Sequence, residues 1–349
     1  MPTILGNYPN LERKPTGLYS LDWCLGSRGN FGAPLRSIYE IYGYPNSGKS
    51  TLCYYLAGKL TPSDSVVVCD FENLDREYLD RASGASGFNG TIQLCDVVDE
   101  KGKPKSHESM LTQMSIGLEN SYGSAVLDSV GAIQPKAEKE GDYGEAFMGK
   151  RAKLVAQVAR EVSGILREAE DPKTAFVINH VHSIIGGRGH STAGGEVLKF
   201  MAAVRIMIWS KEVFTTSDEG LPIGFYVEGK TEKLRFGARG KTFGYYIVPG
   251  FGVHTGASAM FDCFTYGLAS RESTVKLDGK SMGYLNKDLL VYASEGKQRK
   301  FDPFIEALQK YQETTLKWED ERKEEENVDR DTSDRPRRKG KVGQSVAGE

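Results

Sequence analysis

A mainly parallel α/β sheet flanked by helices, with a late antiparallel hairpin and a small C-terminal subdomain, is what this sequence predicts. Three observations carry that expectation. Apolar β-rich runs alternate with helix-length stretches, a Gly-rich turn joins the first long strand to the first long helix, and strand follows strand after residue 225.

In chain order, residues 1–16 are punctuated by Pro2, Pro9 and Pro15 and read as an extended arm, with Ile4, Leu5 and Tyr8 as a candidate subunit-docking strand. A core over 17–257 follows. Ile38–Tyr42, Val66–Asp70, Ile92–Val98, Ala125–Asp128, Ala175–Asn179 and Val204–Trp209 are short apolar runs between polar or Gly-containing segments, as buried strands require. Lys49–Leu60, His107–Asn120 and Glu145–Glu170 have helical length, and the last carries Leu154, Val155, Val158, Val162, Ile165 and Leu166 at helical spacing. Phe225–Arg235 and Thr242–Val253, separated by a Gly-rich turn, predict the hairpin. The subdomain over 258–318 ends in a helix at Pro303–Leu316. Residues 319–349, acidic up to Asp334 and basic from Arg335 to Lys341, lack the apolar side chains that offset ordering entropy, so disorder is expected there.

With 349 residues, 39% of them hydrophobic and 26% charged, the chain reads as globular rather than fibrous or disordered. Its apolar stretches are too short for a bilayer, since Phe200–Trp209 already carries Arg205, and Met1–Asn10 has neither the basic start nor the apolar run of a signal peptide. Cys24, Cys53, Cys69, Cys95 and Cys263 are widely spaced with no C-x-x-C pair, which points to a reducing, cytoplasmic setting. His180, His182 and His190 lie close together but without a nearby carboxylate or thiol, so zinc is disfavoured. Lys and Arg number 45 against 47 Asp and Glu, a net charge of -2, so a nucleic-acid partner would have to be gripped by local patches.

The strongest motif is Gly43, Tyr44, Pro45, Asn46, Ser47, Gly48, Lys49 and Ser50, followed by Thr51. It fits G-x-x-x-x-G-K-[ST] and stands between an apolar strand and a helix, the setting in which backbone N–H groups cradle phosphates at a helix N-terminus. Lys49 would meet the β/γ phosphates of ATP and the Ser50 hydroxyl would ligate Mg²⁺. Two strand-end acids complete the chemistry. Asp128 is the candidate to hold Mg²⁺ through coordinated water, and Glu72 to polarise a water for in-line attack, with Asp70 as its rival. Such acids also cap helices, which leaves both roles open at this stage.

Together these residues resemble the RecA family of recombinases, and within it the phage recombinases of the UvsX type. The resemblance runs from about Gly17 to Leu268 and includes Ser20-Leu-Asp22 with Leu25-Gly26, Leu127-Asp-Ser-Val130, Pro135-Lys-Ala-Glu138, Met148-Gly149, Val177-Ile-Asn179, Gly194-Gly195 and Leu198-Lys-Phe200. It implies a RecA-like P-loop ATPase core, DNA-stimulated hydrolysis of ATP, and a helical filament that binds single-stranded DNA, pairs it with a homologous duplex and exchanges strands. A single-strand-binding protein and a loader would be accessory partners.

Residue by residue, the resemblance makes Lys49, Ser50 and Asp128 nucleotide and Mg²⁺ residues, Glu72 the catalytic base, and Asp75 and Tyr78 adenine contacts. Where the RecA pattern has a glutamine that senses the γ-phosphate, this chain has His180, as UvsX-like proteins do. A histidine changes protonation near neutral pH, so sensing would become pH-sensitive. Lys233 and Arg235 share a strand face and, by resemblance, reach the neighbouring subunit's γ-phosphate as an arginine finger does.

The same resemblance makes Lys139–Phe147 and Val181–Ala193 the DNA-binding loops, each too rich in glycine or acid to pack by itself. The second offers Arg188 for phosphate, His182 and His190 for phosphate or base, Ile184 and Ile185 as wedges between bases, and N–H groups near Gly194 and Gly195. Beside Met148, the cations Lys150, Arg151, Lys153 and Arg160 line the following helix, and Lys153 and Arg160 share a face. Glu140, Asp142 and Glu145 in the first loop would repel DNA, which shifts affinity to the second loop and that helix. The rival reading is a RecA-fold hexameric helicase or DNA-repair motor, with a closed ring in place of the filament.

Overall fold

Alternate residues of the strand Ser65–Asp70 pack on opposite sides of one sheet: Val66 and Val68 join one apolar core, Val67 and Cys69 another. That alternation of destinations is what a central strand covered on both faces requires. The computed structural model describes residues 11–26, 30–61, 65–140, 149–183, 190–215 and 220–315.

The elements begin with β1 (Arg13–Lys14), α1 (Tyr19–Leu25), β2 (Ala33–Pro34), β3 (Ile38–Gly43), α2 (Lys49–Leu60), β4 (Ser65–Asp70), α3 (Arg76–Gly84), β5 (Thr91–Leu94), α4 (His107–Asn120) and β6 (Ser124–Asp128). They continue with α5 (Lys136–Lys139), α6 (Lys150–Glu168), β7 (Thr174–Ser183), β8 (His190–Thr192), α7 (Gly195–Met201), β9 (Val204–Thr215), β10 (Pro222–Leu234), β11 (Thr242–Val248) and β12 (Gly252–Val253). Then come α8 (Thr255–Thr265), a small antiparallel sheet of β13 (Ala269–Arg271), β14 (Val275–Leu277) and β15 (Lys280–Gly283), α9 (Val291–Ser294), and a last helix over 302–315. The described residues fall into two compact units, one running to Leu308 and one from Gln309.

The main sheet has the order β12-β11-β10-β9-β3-β7-β6-β4-β5, with β8 paired to β7. Pairing is parallel from β9 through β3, β7, β6 and β4 to β5, and antiparallel from β9 through β10 and β11 to β12. The expected α/β fold with its late antiparallel hairpin is therefore present. Helices α2 and α3 contribute Leu52, Leu56, Leu60, Leu79 and Ala82 to the core on one face. On the other face α4 and α6 bury Met110, Met114, Leu118, Val155, Val158, Val162 and Leu166. The helical spacing in α6 thus marks its buried stripe, with Leu154 and Ile165 at the margins.

Four details depart from the sequence expectation. The edge strand β5 stops at Leu94 instead of reaching Val98, because the backbone there turns back on itself: the Val97 carbonyl accepts from the Lys105 amide at 2.9 Å and Val98 bridges to Pro104. The described part of the N-terminal arm is built onto the core rather than extended from it: β1 pairs with β2, and Thr16 donates to Asp22 Oδ1 through its amide at 2.8 Å and its hydroxyl at 2.7 Å. Residues 1–10, with the candidate docking strand, lie outside the described residues, as do 319–349. The second glycine-rich loop begins and ends as a hairpin, since β7 continues to Ser183 and Val181 pairs with Thr192 of β8, so its ends exchange their own backbone hydrogen bonds. Finally, α6 starts at Lys150, after Gly149 at φ 103°, a left-handed conformation that sets its N-terminal boundary.

Candidate functional site

Strand β3 ends at Gly43, the chain turns through Asn46 at φ 58° and Gly48 at φ 84°, and α2 starts at Lys49. Space as well as conformation demands glycine here. A Cβ on Gly43 would sit 2.2 Å from the Ile208 carbonyl oxygen, and one on Gly48 would sit 2.6 Å from Ile247 Cδ1. The turn opens into a cleft lined by Pro45 to Thr51, Glu72, Tyr78 and His180, with Phe225, Val227, Ile247 and Val248 adding apolar surface. Lys49 Nζ donates to the Tyr44 carbonyl at 2.8 Å, and burial lowers its pKa against the opposing pull of Glu72 and Asp128.

Asp128, at the end of β6, is completely buried, and burial raises its carboxyl to about 6 against the lowering effect of the Ser50 hydroxyl beside it. Its Oδ2 accepts from the Tyr54 hydroxyl at 3.0 Å, whereas its Oδ1 has no protein partner. Ser47 Oγ, within the turn, is likewise buried without a partner. Unsatisfied buried oxygens are costly, and the free Asp128 Oδ1 with the Ser50 hydroxyl beside that carboxyl makes a donor set that suits a hard, oxygen-preferring cation such as Mg²⁺.

Glu72 stands just past β4. Burial opposes its charge, but hydrogen bonds from Ser129 and His180 hold its carboxyl below the usual range. Both reach the same oxygen: Ser129 Oγ donates to Glu72 Oε1, and His180 Nε2 lies 2.9 Å from it. Asp70 is occupied differently. Its Oδ1 accepts from the Glu72 amide and its Oδ2 from the Leu74 amide, each at 2.8 Å, so it fixes the turn that carries Glu72. Asp75 caps α3, accepting from the Glu77 amide at 3.0 Å, while the Tyr78 hydroxyl bonds that of Thr51 at the cleft wall.

Behind His180 a polar chain enters the sheet. Asn179 accepts from the His180 amide at 2.9 Å and donates to Glu40 Oε1 at 2.9 Å and to the Ala193 carbonyl at 2.8 Å. Glu40 is fully buried and ion-paired with Arg205, which also lies 4.8 Å over the Tyr42 ring. Asn179 thereby ties the residue facing Glu72 to Ala193, which directly follows β8.

The cations expected to contact DNA divide. Lys150, Lys153 and Arg160 are exposed on α6, whereas Arg151 is half-buried and pairs with Glu138 at 3.5 Å. Met148, Ile184, Ile185 and Arg188 lie outside the described residues, and His190 is placed only as the first residue of β8. Gly194 and Gly195, at φ 88° and 74°, have a packing role: a Cβ on the first would meet Val130 Cγ1 at 2.9 Å, and one on the second would meet Ala152 Cβ at 3.0 Å. Lys233 and Arg235 hold the end of α7. Lys233 Nζ donates to the Lys199 and Phe200 carbonyls at 2.7 and 2.8 Å, and Arg235 to those of Phe200 and Met201 at 3.1 and 3.2 Å. Burial and the nearby Arg235 and Arg205 lower the pKa of Lys233. Neither side chain lines the cleft of its own chain.

The sequence model of the RecA N-terminal domain matches residues 5–236. The chain belongs to the RecA family. Among curated RecA relatives, Protein RecA of Kineococcus radiotolerans is 29% identical over 295 residues, 83% of this chain and 76% of the relative. Protein RecA of Campylobacter lari is 31% identical over 248 residues, 70% and 68% of the two chains. Protein RecA of Bifidobacterium breve is 33% identical over 223 residues, 62% of this chain and 54% of that one. A crystal structure of the RadB recombinase superposes with a TM-score of 0.49 at 20% identity, covering 68% of this chain and 97% of that chain. No described helix is long and apolar enough to cross a membrane.

Tyr54, Ser129, Asn179 and Glu40 escaped sequence reading. Tyr54 had a usable signal, a phenol on the buried face of the helix that follows the Gly-rich turn. The other three acquire meaning only through strand neighbours far away in sequence.

Proposed function

We propose that this chain is an ATP-dependent homologous-recombination protein of the cytoplasm, in a bacterium or a phage-infected host, closest in kind to the UvsX-type phage recombinases. It forms a filament on single-stranded DNA, pairs that strand with a homologous duplex and exchanges strands, and DNA stimulates its ATP hydrolysis. One observation carries this reading: His180 touches Glu72 at the cleft, while its neighbour Asn179 bonds the carbonyl of Ala193, the residue that follows β8. Membership of the RecA family supports the recombination role, and histidine in place of glutamine supports the phage-type kinship.

In this reading the turn from Gly43 to Ser50 holds the phosphates through its amides, and Lys49 leaves the Tyr44 carbonyl to meet them. Ser50 and Asp128 would hold Mg²⁺, which would supply charge neutralisation for the phosphates. Glu72, kept ionised by its hydrogen bonds, orients and deprotonates the attacking water. Tyr78 flanks the base. Asp75, whose side chain caps α3, acts on the adenine through the placement of that helix. His180 donates to the γ-phosphate when it is present and to Glu72 when it is not, so the nucleotide state is passed through Asn179 to the hairpin. Lys233 and Arg235, outside their own cleft, act on the neighbouring protomer's phosphate, with the core at 17–257 and the subdomain at 258–318 as the filament's repeating body.

Strand exchange with a homologous and a non-homologous duplex tests this directly. Product with the homologous duplex alone supports the reading; product with neither, together with rings in electron micrographs, assigns the chain to the motor class instead.

A further inference from the structure

The phenol of Tyr54 lies outside the groups assigned above to nucleotide and metal, yet it holds one oxygen of the Asp128 carboxylate. Tyr54 lies on α2, is 1% exposed, and donates to Asp128 Oδ2 at 3.0 Å. That leaves Oδ1 as the one oxygen of the buried carboxylate without a protein partner, with the Ser50 hydroxyl beside the group.

Three physical consequences follow. A carboxylate held by one oxygen has lost its freedom to rotate, so the free oxygen has a fixed direction before any cation arrives. The donated hydrogen bond offsets part of the cost of keeping Asp128 charged in a buried place. Because α2 carries both Lys49 and Tyr54, one rigid helix sets the position of the phosphate-binding ammonium and of the metal-binding carboxylate together.

We propose that Tyr54 is a positioning residue for the divalent cation: its hydroxyl fixes Asp128 so that Oδ1 faces the cation beside Ser50. This rests on the assignment of Asp128 and Ser50 as the Mg²⁺ residues.

The test uses Mn²⁺ as the probe, titrated by electron paramagnetic resonance into the full-length protein with a non-hydrolysable ATP analogue. Tyr54→Phe is expected to weaken Mn²⁺ binding roughly tenfold, the effect typical of losing a partner of a metal ligand. Affinity for the nucleotide measured in EDTA should stay as in the wild type, and the Mg²⁺ half-saturation of turnover should rise while kcat at saturating Mg²⁺ stays close to it. Tyr54→Leu, which also lacks the hydroxyl, serves if the ring variant does not fold. In an Asp128→Asn background the effect of Tyr54→Phe on Mn²⁺ should shrink, because the carboxylate through which it acts is gone. Unchanged Mn²⁺ affinity in a folded variant, or full additivity with Asp128→Asn, overturns the assignment. A wild-type protein that binds no Mn²⁺ with nucleotide would instead sink the functional reading on which it rests.

Discussion

His180 Nε2 and Glu72 Oε1 lie 2.9 Å apart, so the two side chains to which we assign γ-phosphate sensing and water activation share one hydrogen bond. Ser129 donates to the same oxygen, which keeps Glu72 ionised although it is partly buried. On the function proposed above, hydrolysis and signalling would draw on one carboxylate.

Glu72→Gln keeps the shape and the Ser129 contact but removes the base. Turnover should fall by roughly 10²- to 10⁴-fold, the range for loss of general-base catalysis, with nucleotide affinity retained in equilibrium binding. Near-normal phosphate release would move the base elsewhere.

Asp70→Asn separates the two strand-end acids. Asp70 accepts two backbone amides, so its loss should destabilise the chain by about 1 kcal/mol in urea unfolding while hydrolysis stays near wild type. A collapse of turnover in a stable Asp70→Asn protein would favour Asp70 over Glu72 as the base.

His180→Ala should leave basal hydrolysis largely in place but remove its stimulation by single-stranded DNA, whereas His180→Gln should restore part of that response. Equal stimulation in all three proteins would show that the link through Asn179 carries no signal.

Stability should depend on pH through a buried carboxyl far from the cleft. Burial raises Asp262 from an ordinary value of 3.8 to about 7, and Asp22 to about 6. A raised folded-state pKa means that the folded protein binds the proton more tightly than the unfolded chain. The stabilisation is therefore full below about pH 4 and is lost as pH climbs to about 7, by an amount on the order of a few kcal/mol. Asp262→Asn, which can still accept from the Ser20 amide at 3.1 Å, should flatten that slope in urea unfolding at a series of pH values. An unchanged slope would place the ionisation elsewhere.

The parallel sheet was legible because its strands are continuous apolar runs, and the phosphate turn because its spacing is tied to one backbone path. Val66–Asp70 and Lys49–Leu60 needed only local chemistry, and both appear nearly residue for residue. The polar chain from Glu40 through Asn179 to Ala193 could not be read, since it depends on β3 and β7 lying side by side, with Glu40 level with Val177. The end of β5 was misjudged because Val97 and Val98 continue the apolar pattern, although they are 60% and 46% exposed. The glycines at 194 and 195 looked like anion donors in sequence, and their close approach to Val130 and Ala152 became visible only in three dimensions.

Phosphate release from ATP, measured with and without single-stranded DNA in the wild type and in Lys49→Ala, bears most directly on the claim that one cleft couples nucleotide to DNA. A many-fold rise on adding DNA, absent in Lys49→Ala, is the expected result. A rate indifferent to DNA, or one that survives the loss of Lys49, would contradict it.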